Sequence, residues 1–506
     1  MKEKLESRYG YFMISSIIYG FFFTFCLYRN LHGITLPFWV AGTLAYFILA
    51  FRQLELKIKK DTVFYAAAAL LLGISSVLTD DLFLHFFNMA GILLLLGVSL
   101  LHQMYEERKW GFGRFIMNIS TFFWDIMESI ALPFSQTGKF FKKKSGQENK
   151  KLKYVLLGIL IALPLFLIVV LMLVSADRIF YEMVSKALSY IRIDMNIVFI
   201  ICMIFLGIIL IYAAVGGLVN YRLKEDQPAC KNQEPIIAIT FTSILCAVYL
   251  IFCGIQVVYL FAQGVTGLPG DFTYAEYARR GFFELLFVSI LNFAMVIICN
   301  TFFRDHKALK VLLTIISVCN YILIASSIYR MILYVAVYHL TYLRVLVLWF
   351  LILLAFFMAG ALICVYRSKF RLFFYCMIVL TIGYLGFSFA RPDYLIANYN
   401  LAHMEVMHID DIHYLMNSLS DDAAPAIAKL DPENIEGASR VYSDAFSFDA
   451  QQTRKMEFYD YFYKLNEKYQ SSWRKFNLSE HKAQIAAVRY LEKHEEDKKL
   501  LKVDFN

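Results

Sequence analysis

The chain is a succession of long, uninterrupted apolar runs separated by short polar joints. Runs near residues 9 to 28, 35 to 51, 62 to 79, 82 to 102, 154 to 175, 196 to 221, 235 to 263, 281 to 303, 311 to 335, 345 to 366 and 372 to 390 can each cross about 30 Å of hydrocarbon, which takes about 17 to 25 residues at helical rise. They lack the alternation of barrel strands, and a helix is the element that satisfies its own backbone in lipid. The pattern predicts an all-α fold: a polytopic helical membrane protein with about eleven transmembrane helices and, from Arg391 onward, a soluble helical tail. Met1 to Arg8 is short and mixed in charge, so the first run is expected to be a retained signal anchor.

The polar joints divide the chain. Residues 1–103 make a four-span block, 104–153 a linker, 154–390 a seven-span block and 391–506 the tail. Trp110 to Phe134 mixes Phe, Trp, Ile and Met with Asp125 and Glu128, which suits a helix lying in the membrane interface. Asp177 to Asp194 repeats that design, with Phe180, Met183, Ala187 and Ile191 at helical spacing. In the tail, Ser418, Asp421, Asp431 and Ser447 are plausible helix starts. Gln451 to His494 reads as one long amphipathic helix with Phe458, Phe462, Leu465 and Tyr469 on one side, packing into a small domain or back onto the membrane face.

Composition agrees with the pattern. Hydrophobic residues make up 59% of the 506 and charged ones only 18%, against roughly 45–50% and 25% in soluble domains. Of the nine cysteines, all but Cys230 fall inside predicted spans, and none is spaced for a disulfide framework or a metal. Lys and Arg concentrate in alternate joints, which places the N-terminus in the cytoplasm and, with an odd number of spans, the tail outside a plasma membrane. The densest cluster, with Lys139, Lys142, Lys143, Lys144, Lys150, Lys151 and Lys153, reads as an inner-face topology determinant. Lys142, Lys143 and Lys144 are expected to contact anionic lipid head groups rather than nucleic acid.

Charges inside hydrocarbon are costly and point to function or pairing. Glu284 and Arg330 lie at similar depth in consecutive antiparallel spans, so either they pair, or Arg330 reaches the interface while Glu284 pairs with Arg280. Beyond Arg330, the residues Tyr334, Tyr338, Thr341 and Arg344 continue one helical face, as an interface belt or the lining of a cavity. The turn-rich Gly264 to Asp271 precedes Tyr274 to Leu285, a candidate re-entrant or capping segment. The candidate polar cluster is Asp177, Tyr274, Tyr277, Arg279, Arg280, Glu284, Arg330, Tyr334, Tyr338 and Arg344. Asp80-Asp81 reads as a solvated helix start before it reads as a divalent-cation site. His306 and His339 have no partner at ligand spacing. Walker, GxSxG, HExxH and dinucleotide signatures are all missing, so neither catalytic residues nor a cofactor or metal is expected.

Several of these positions carry a resemblance. Ser175-Ala-Asp177 with Phe180, the Tyr274 to Leu285 segment, Arg330 with Tyr334, Leu340-Thr341, Arg344, Ile396-Ala-Asn-Tyr-Asn400 and Leu419 to Ile427 resemble a bacterial polytopic membrane family, a domain of unknown function of the 4153/4173 type, over about 155 to 430. The resemblance implies architecture and assigns no chemistry. The working surface is expected on the outer side, in a transporter-like or sensor/scaffold protein that contacts the bilayer and an unidentified ligand or protein partner. The rival is a membrane enzyme acting on a lipid-linked substrate. Its usual acid-bearing first outer loop is here only Arg29 to Ile34, and Pro164, Gly207 and Gly216 are weak marks of the broken spans a transporter would use.

Overall fold

The computed structural model describes residues 2–501 except 60–61, 106–109, 111, 145–157, 159–161, 163–164, 167–168, 171, 192–193, 221–232, 267–281, 368, 405, 438–449 and 470–471. Among the described residues there is no strand, and isolated bridges join only Gln233 to Phe303 and His408 to Glu436. Nine described helices are long and apolar enough to cross a membrane. They are α1 (Tyr9–Leu27), α2 (Thr35–Gln53), α4 (Leu82–Met104), α8 (Met195–Asn220), α9 (Pro235–Thr266), α10 (Phe282–Phe302), α11 (Lys307–Tyr338), α12 (Tyr342–Tyr366) and α13 (Leu372–Ala390). A tenth apolar helix, α3 (Thr62–Leu78), has 17 residues, at the short end of what spans a bilayer. The protein is an all-α polytopic membrane protein, with ten of the eleven predicted runs observed as helices. The eleventh, near 154 to 175, falls largely outside the described residues.

Each joint is built from its own sequence. Asp81 caps α4 by accepting from the Phe83 and Leu84 amides at 2.8 and 3.4 Å, and His306 caps α11 through the Ala308 amide at 3.2 Å. Arg391 ends α13 in a left-handed conformation (φ 52°) and Pro392 opens the next helix at its first position. Side chains facing lipid stay exposed, among them Phe21, Ile251 and Phe287.

The spans pack through small residues, since lipid gives apolar helices no reason to associate. A Cβ on Gly20 of α1 would stand 2.7 Å from the Ile204 carbonyl of α8, and one on Gly207 of α8 would stand 2.9 Å from the Phe23 ring. Buried Ile211, Tyr212 and Val215 of α8 thereby join the core of α1 to α4, with Phe373 and Tyr384 of α13 packed against it. A buried polar network crosses the same seam. Asn88 of α4 donates to Ser76 at 3.0 Å and accepts from Tyr384 at 2.9 Å and Ser388 at 3.0 Å.

The bundle has two distinguishable ends. At one, Lys139 meets Glu6 at 3.0 Å and Thr137 meets Tyr9 at 2.5 Å; at the other, Tyr28 donates to Asn196 at 3.2 Å. Lys139 and Asn196 thus lie at opposite ends of α1. Two helices fill the first end, α5 (Phe112–Glu128) and α6 (Leu132–Lys144). Phe115 packs on Phe373 with centroids 4.4 Å apart, while Met117, Trp124 and Met127 are exposed. At the opposite end α7 (Arg178–Ile191) exposes Ile179 and Met183 in the same manner.

The tail forms a compact helical unit on that second end, built from α14 (Pro392–His403), α15 (Ile409–Asn417), α16 (Ala450–Lys468) and α17 (Leu478–Lys493). Its core holds Ile396, Ile412, Leu415, Phe458, Phe462 and Tyr490. The single long helix expected over Gln451 to His494 is instead a hairpin of α16 and α17. A turn at Trp473–Lys475 intervenes, and Asn477 caps the second helix, which turns α17 back along α16. The tail has a core of its own and contacts the second end of the span bundle.

Candidate functional site at the tail junction

Four joints meet where the tail lands: 28–34 between α1 and α2, 79–81 between α3 and α4, 339–341 between α11 and α12, and the α13–α14 break. Among the described residues, the most buried charged side chain is Asp422, which is fully enclosed. It accepts from the Thr79 hydroxyl at 2.6 Å, the Arg391 guanidinium at 2.9 Å and the Ser479 hydroxyl. One carboxylate thus binds a membrane joint, the exit of α13 and the first turn of α17, and these partners replace the solvation its burial removes.

Asn477 makes a second clamp. Its Oδ1 accepts from the Ser479 and Glu480 amides at 2.8 and 3.4 Å, while its Nδ2 donates to the carbonyls of Thr79, Ser76 and His32 at 2.9, 3.1 and 3.3 Å. The end of α1 is closed by Arg474, which donates to the Phe25 and Tyr28 carbonyls at 3.1 and 2.9 Å, groups that a helix terminus leaves unpaired. Backbone pairing follows, from the Ile34 amide to the Phe476 carbonyl at 2.8 Å.

Beside these clamps lies a cluster of ionisable groups. Lys468 bridges Asp421 at 2.5 Å and Asp80 at 3.3 Å, Tyr469 donates to Asp421, and His32 faces Glu480 at 3.2 Å. Burial, and then the Asp421 carboxylate, push Asp80 up to about 7. The Glu480 hydrogen bond raises His32. Nearby, burial lifts Asp393 to about 6 even though it accepts from the Ser420 amide at 2.8 Å. Asp81 is a helix start as the sequence indicates, but it is buried rather than solvated.

The predicted site residues separate into groups. Tyr274, Tyr277, Arg279 and Arg280 lie outside the described residues. Asp177 is exposed and caps α7 through the Ile179 and Phe180 amides at 2.7 and 3.1 Å. Glu284 and Arg330 are not joined by an ion pair: Glu284 is exposed, while buried Arg330 donates to Gln256 at 3.3 Å. Lys142, Lys143 and Lys144 close α6, and their side chains are not among those described.

The stripe is not the single helical face expected: α11 ends at Tyr338, His339 turns the chain with a φ of 58°, and Arg344 sits on α12. Arg344 nevertheless folds back onto the end of α11. Arg344 stacks 4.3 Å over Tyr334, Tyr334 packs on Tyr338 at 5.1 Å, and Arg344 donates to the Tyr338 carbonyl at 2.5 Å. Tyr334, Thr341 and Arg344, with Phe282, Phe283 and Met331, line a cavity of about 460 Å³. A second cavity of about 290 Å³ lies in the tail, between α15 and α16, with the His413 and Glu457 pair on its wall.

A sequence profile for a domain of unknown function, DUF4153, matches residues 66–430 of this chain. The chain belongs to the DUF4153 family. No curated protein and no solved structure matches it. The DUF4153 region holds Thr79, Asp81, Asn88, Arg391, Asp393 and Asp422. It also holds Leu340 and Asn400, which exchange two hydrogen bonds: Leu340 N to Asn400 Oδ1 at 2.7 Å and Asn400 Nδ2 to Leu340 O at 2.9 Å. Both belong to segments the sequence singled out, and their role is to fasten α14 to the α11–α12 joint. Outside the DUF4153 match lie His32, Lys468, Asn477, Ser479 and Glu480, which sequence reading missed. Their only local signal is Asn477 ahead of Leu478-Ser-Glu480, a helix-capping pattern.

Proposed function

We propose that this DUF4153 protein is a non-catalytic sensor or scaffold of the cell membrane that holds an anionic amphiphile at its tail face. The N-terminus lies in the cytoplasm and the tail outside. The observation that carries the reading is the cavity of about 460 Å³ where α10, α11 and α12 meet at the tail end. Its walls are Phe282, Phe283, Met331, Leu343 and Val347, suited to an acyl chain, and Arg344 and Thr341 stand among them for a carboxylate or phosphate head. Arg344 is held in place by Tyr334 and by two carbonyls, of Tyr338 and His339.

Binding is favoured over catalysis because the described lining of this cavity holds no carboxylate. The acids sit across α12. Tyr342 packs on Phe83, with centroids 5.3 Å apart, toward the acid cluster, whereas Arg344 follows it by two residues and turns about 200° away. The orientation rests on the basic residues Lys4, Arg8, Lys59 and Lys139 at the end opposite the tail.

Native mass spectrometry in a neutral detergent tests the reading. Phosphatidylglycerol should remain bound to the wild type and be lost at least several-fold from Arg344→Gln, with inorganic phosphate failing to compete. Equal retention by both proteins contradicts the site.

A further inference from the structure

We infer that His32, Asp80 and Glu480 form a binding site for a divalent transition-metal ion of the Zn²⁺ class, one that staples the tail to the first two joints of the tail face. The three come from unrelated parts of the chain: the α1–α2 joint, the α3–α4 joint and the first turn of α17. Their ligand atoms nevertheless all lie within 4.8 Å of one another. An imidazole with two carboxylates is a donor set for Zn²⁺ or its first-row neighbours. With metal–ligand bonds of about 2.0–2.2 Å, donors around a tetrahedral ion stand about 3.3 Å apart. His32 Nε2 and Glu480 Oε1 already meet this spacing at 3.2 Å, and Asp80, within 4.8 Å of both, has to close by no more than about 1.5 Å.

A second, independent feature points the same way. His85, in the first turn of α4, stacks on His32 with ring centroids 5.0 Å apart and planes at 26°. Both of its ring nitrogens are sealed from solvent and have no hydrogen-bond partner. An orphaned imidazole of this kind costs free energy that a metal bond would remove; His85 is not one of the three ligating groups, but it packs directly on one of them. Charge also favours the ion: three carboxylates, of Asp80, Asp421 and Glu480, face Lys468 and His32. Lys468 lies nearer Asp421 (2.5 Å) than Asp80 (3.3 Å). It can therefore release Asp80 to the metal and keep Asp421. The site is separate from the Arg344 cavity and stands or falls independently of it.

The test uses the full-length protein, purified, stripped with chelator and titrated with Co²⁺ and then Zn²⁺. The wild type should take up one Co²⁺ with visible ligand-field absorption, Zn²⁺ should displace it, and Zn²⁺ should raise the melting midpoint by several degrees. Asp80→Asn and Glu480→Gln, with metal-free midpoints close to the wild type, should lose both responses. X-ray absorption of the Zn²⁺-loaded wild type needs no variant and should show nitrogen and oxygen ligands only, with imidazole scattering. The inference is overturned if the wild type binds no Co²⁺, if both variants bind it unchanged, or if sulfur is among the ligands.

Discussion

The Thr79 hydroxyl donates to the Asp422 carboxylate at 2.6 Å across 343 residues of chain, and this bond ties the membrane bundle to the tail. Because Arg391 and Ser479 share the same carboxylate, Asp422→Ala leaves a guanidinium and two hydroxyls without their acceptor. A loss of about 3–5 kcal/mol is expected, the range for breaking a buried ion pair. In thermal unfolding, Thr79→Val combined with Asp422→Ala should cost much less than the sum of the single changes; additive costs would show that the two groups do not interact.

Asn477→Ala removes a helix cap worth about 1 kcal/mol and also strips a donor from the carbonyls of Thr79, Ser76 and His32. The expected loss is about 2–3 kcal/mol. Limited proteolysis should then cut α16 and α17 well before the spans unfold. A capping role alone would give the smaller loss and leave the tail as resistant as in the wild type.

Within the membrane, Asn88 serves Ser76, Tyr384 and Ser388 together. Asn88→Leu should lower stability by about 1–2 kcal/mol, the scale of interhelical hydrogen bonds in lipid, and Tyr384→Phe by less. Unfolding in mixed detergent micelles measures both, and an unchanged Asn88→Leu would remove the network from the account.

Asp393 gives a pH dependence with a definite sign. Its pKa is raised from 3.8 to about 6, chiefly by burial, so between those values the folded protein holds a proton that the unfolded chain has released. Its contribution to stability is therefore largest in acid, falls as pH rises through that window and is flat above about 6. Asp393→Asn keeps an acceptor for the Ser420 amide and cannot ionise. It should be more stable than the wild type at pH 7 by on the order of 3 kcal/mol, with the gap closing toward pH 4. Melting curves across that range check it.

The spans were legible because lipid acts on local composition: twenty apolar residues in a row have one place to go, whatever they later pack against. The tail's docking was not legible. It depends on Asn477 meeting Thr79 and on Asp422 meeting Arg391, pairings of single polar residues that carry no periodic signal. Phe458, Phe462 and Leu465 share one buried face, with Tyr469 partly buried against it, because helical spacing alone puts them there. The amphipathic pattern runs on through Asn477, which is not interior to a helix but the cap of α17, turned toward the membrane joints. Matched depth suggested that Glu284 meets Arg330, yet depth does not set the direction a side chain takes around its helix, and Gln256 occupies the buried side. Asp80 and Asp81 look alike in sequence, and only their folded neighbours separate a helix cap from a member of the ionisable cluster.

Docking of the tail on the 28–34 joint is the claim on which the rest depends, and cross-linking tests it directly. In a cysteine-free background, Ile34→Cys with Lys475→Cys places thiols on segments joined by the Ile34 amide and the Phe476 carbonyl at 2.8 Å. With a protease site inserted between 438 and 449, mild oxidation in membranes should hold the two fragments together after cleavage, and reduction should part them. Fragments that separate equally with and without oxidation would contradict the docked arrangement.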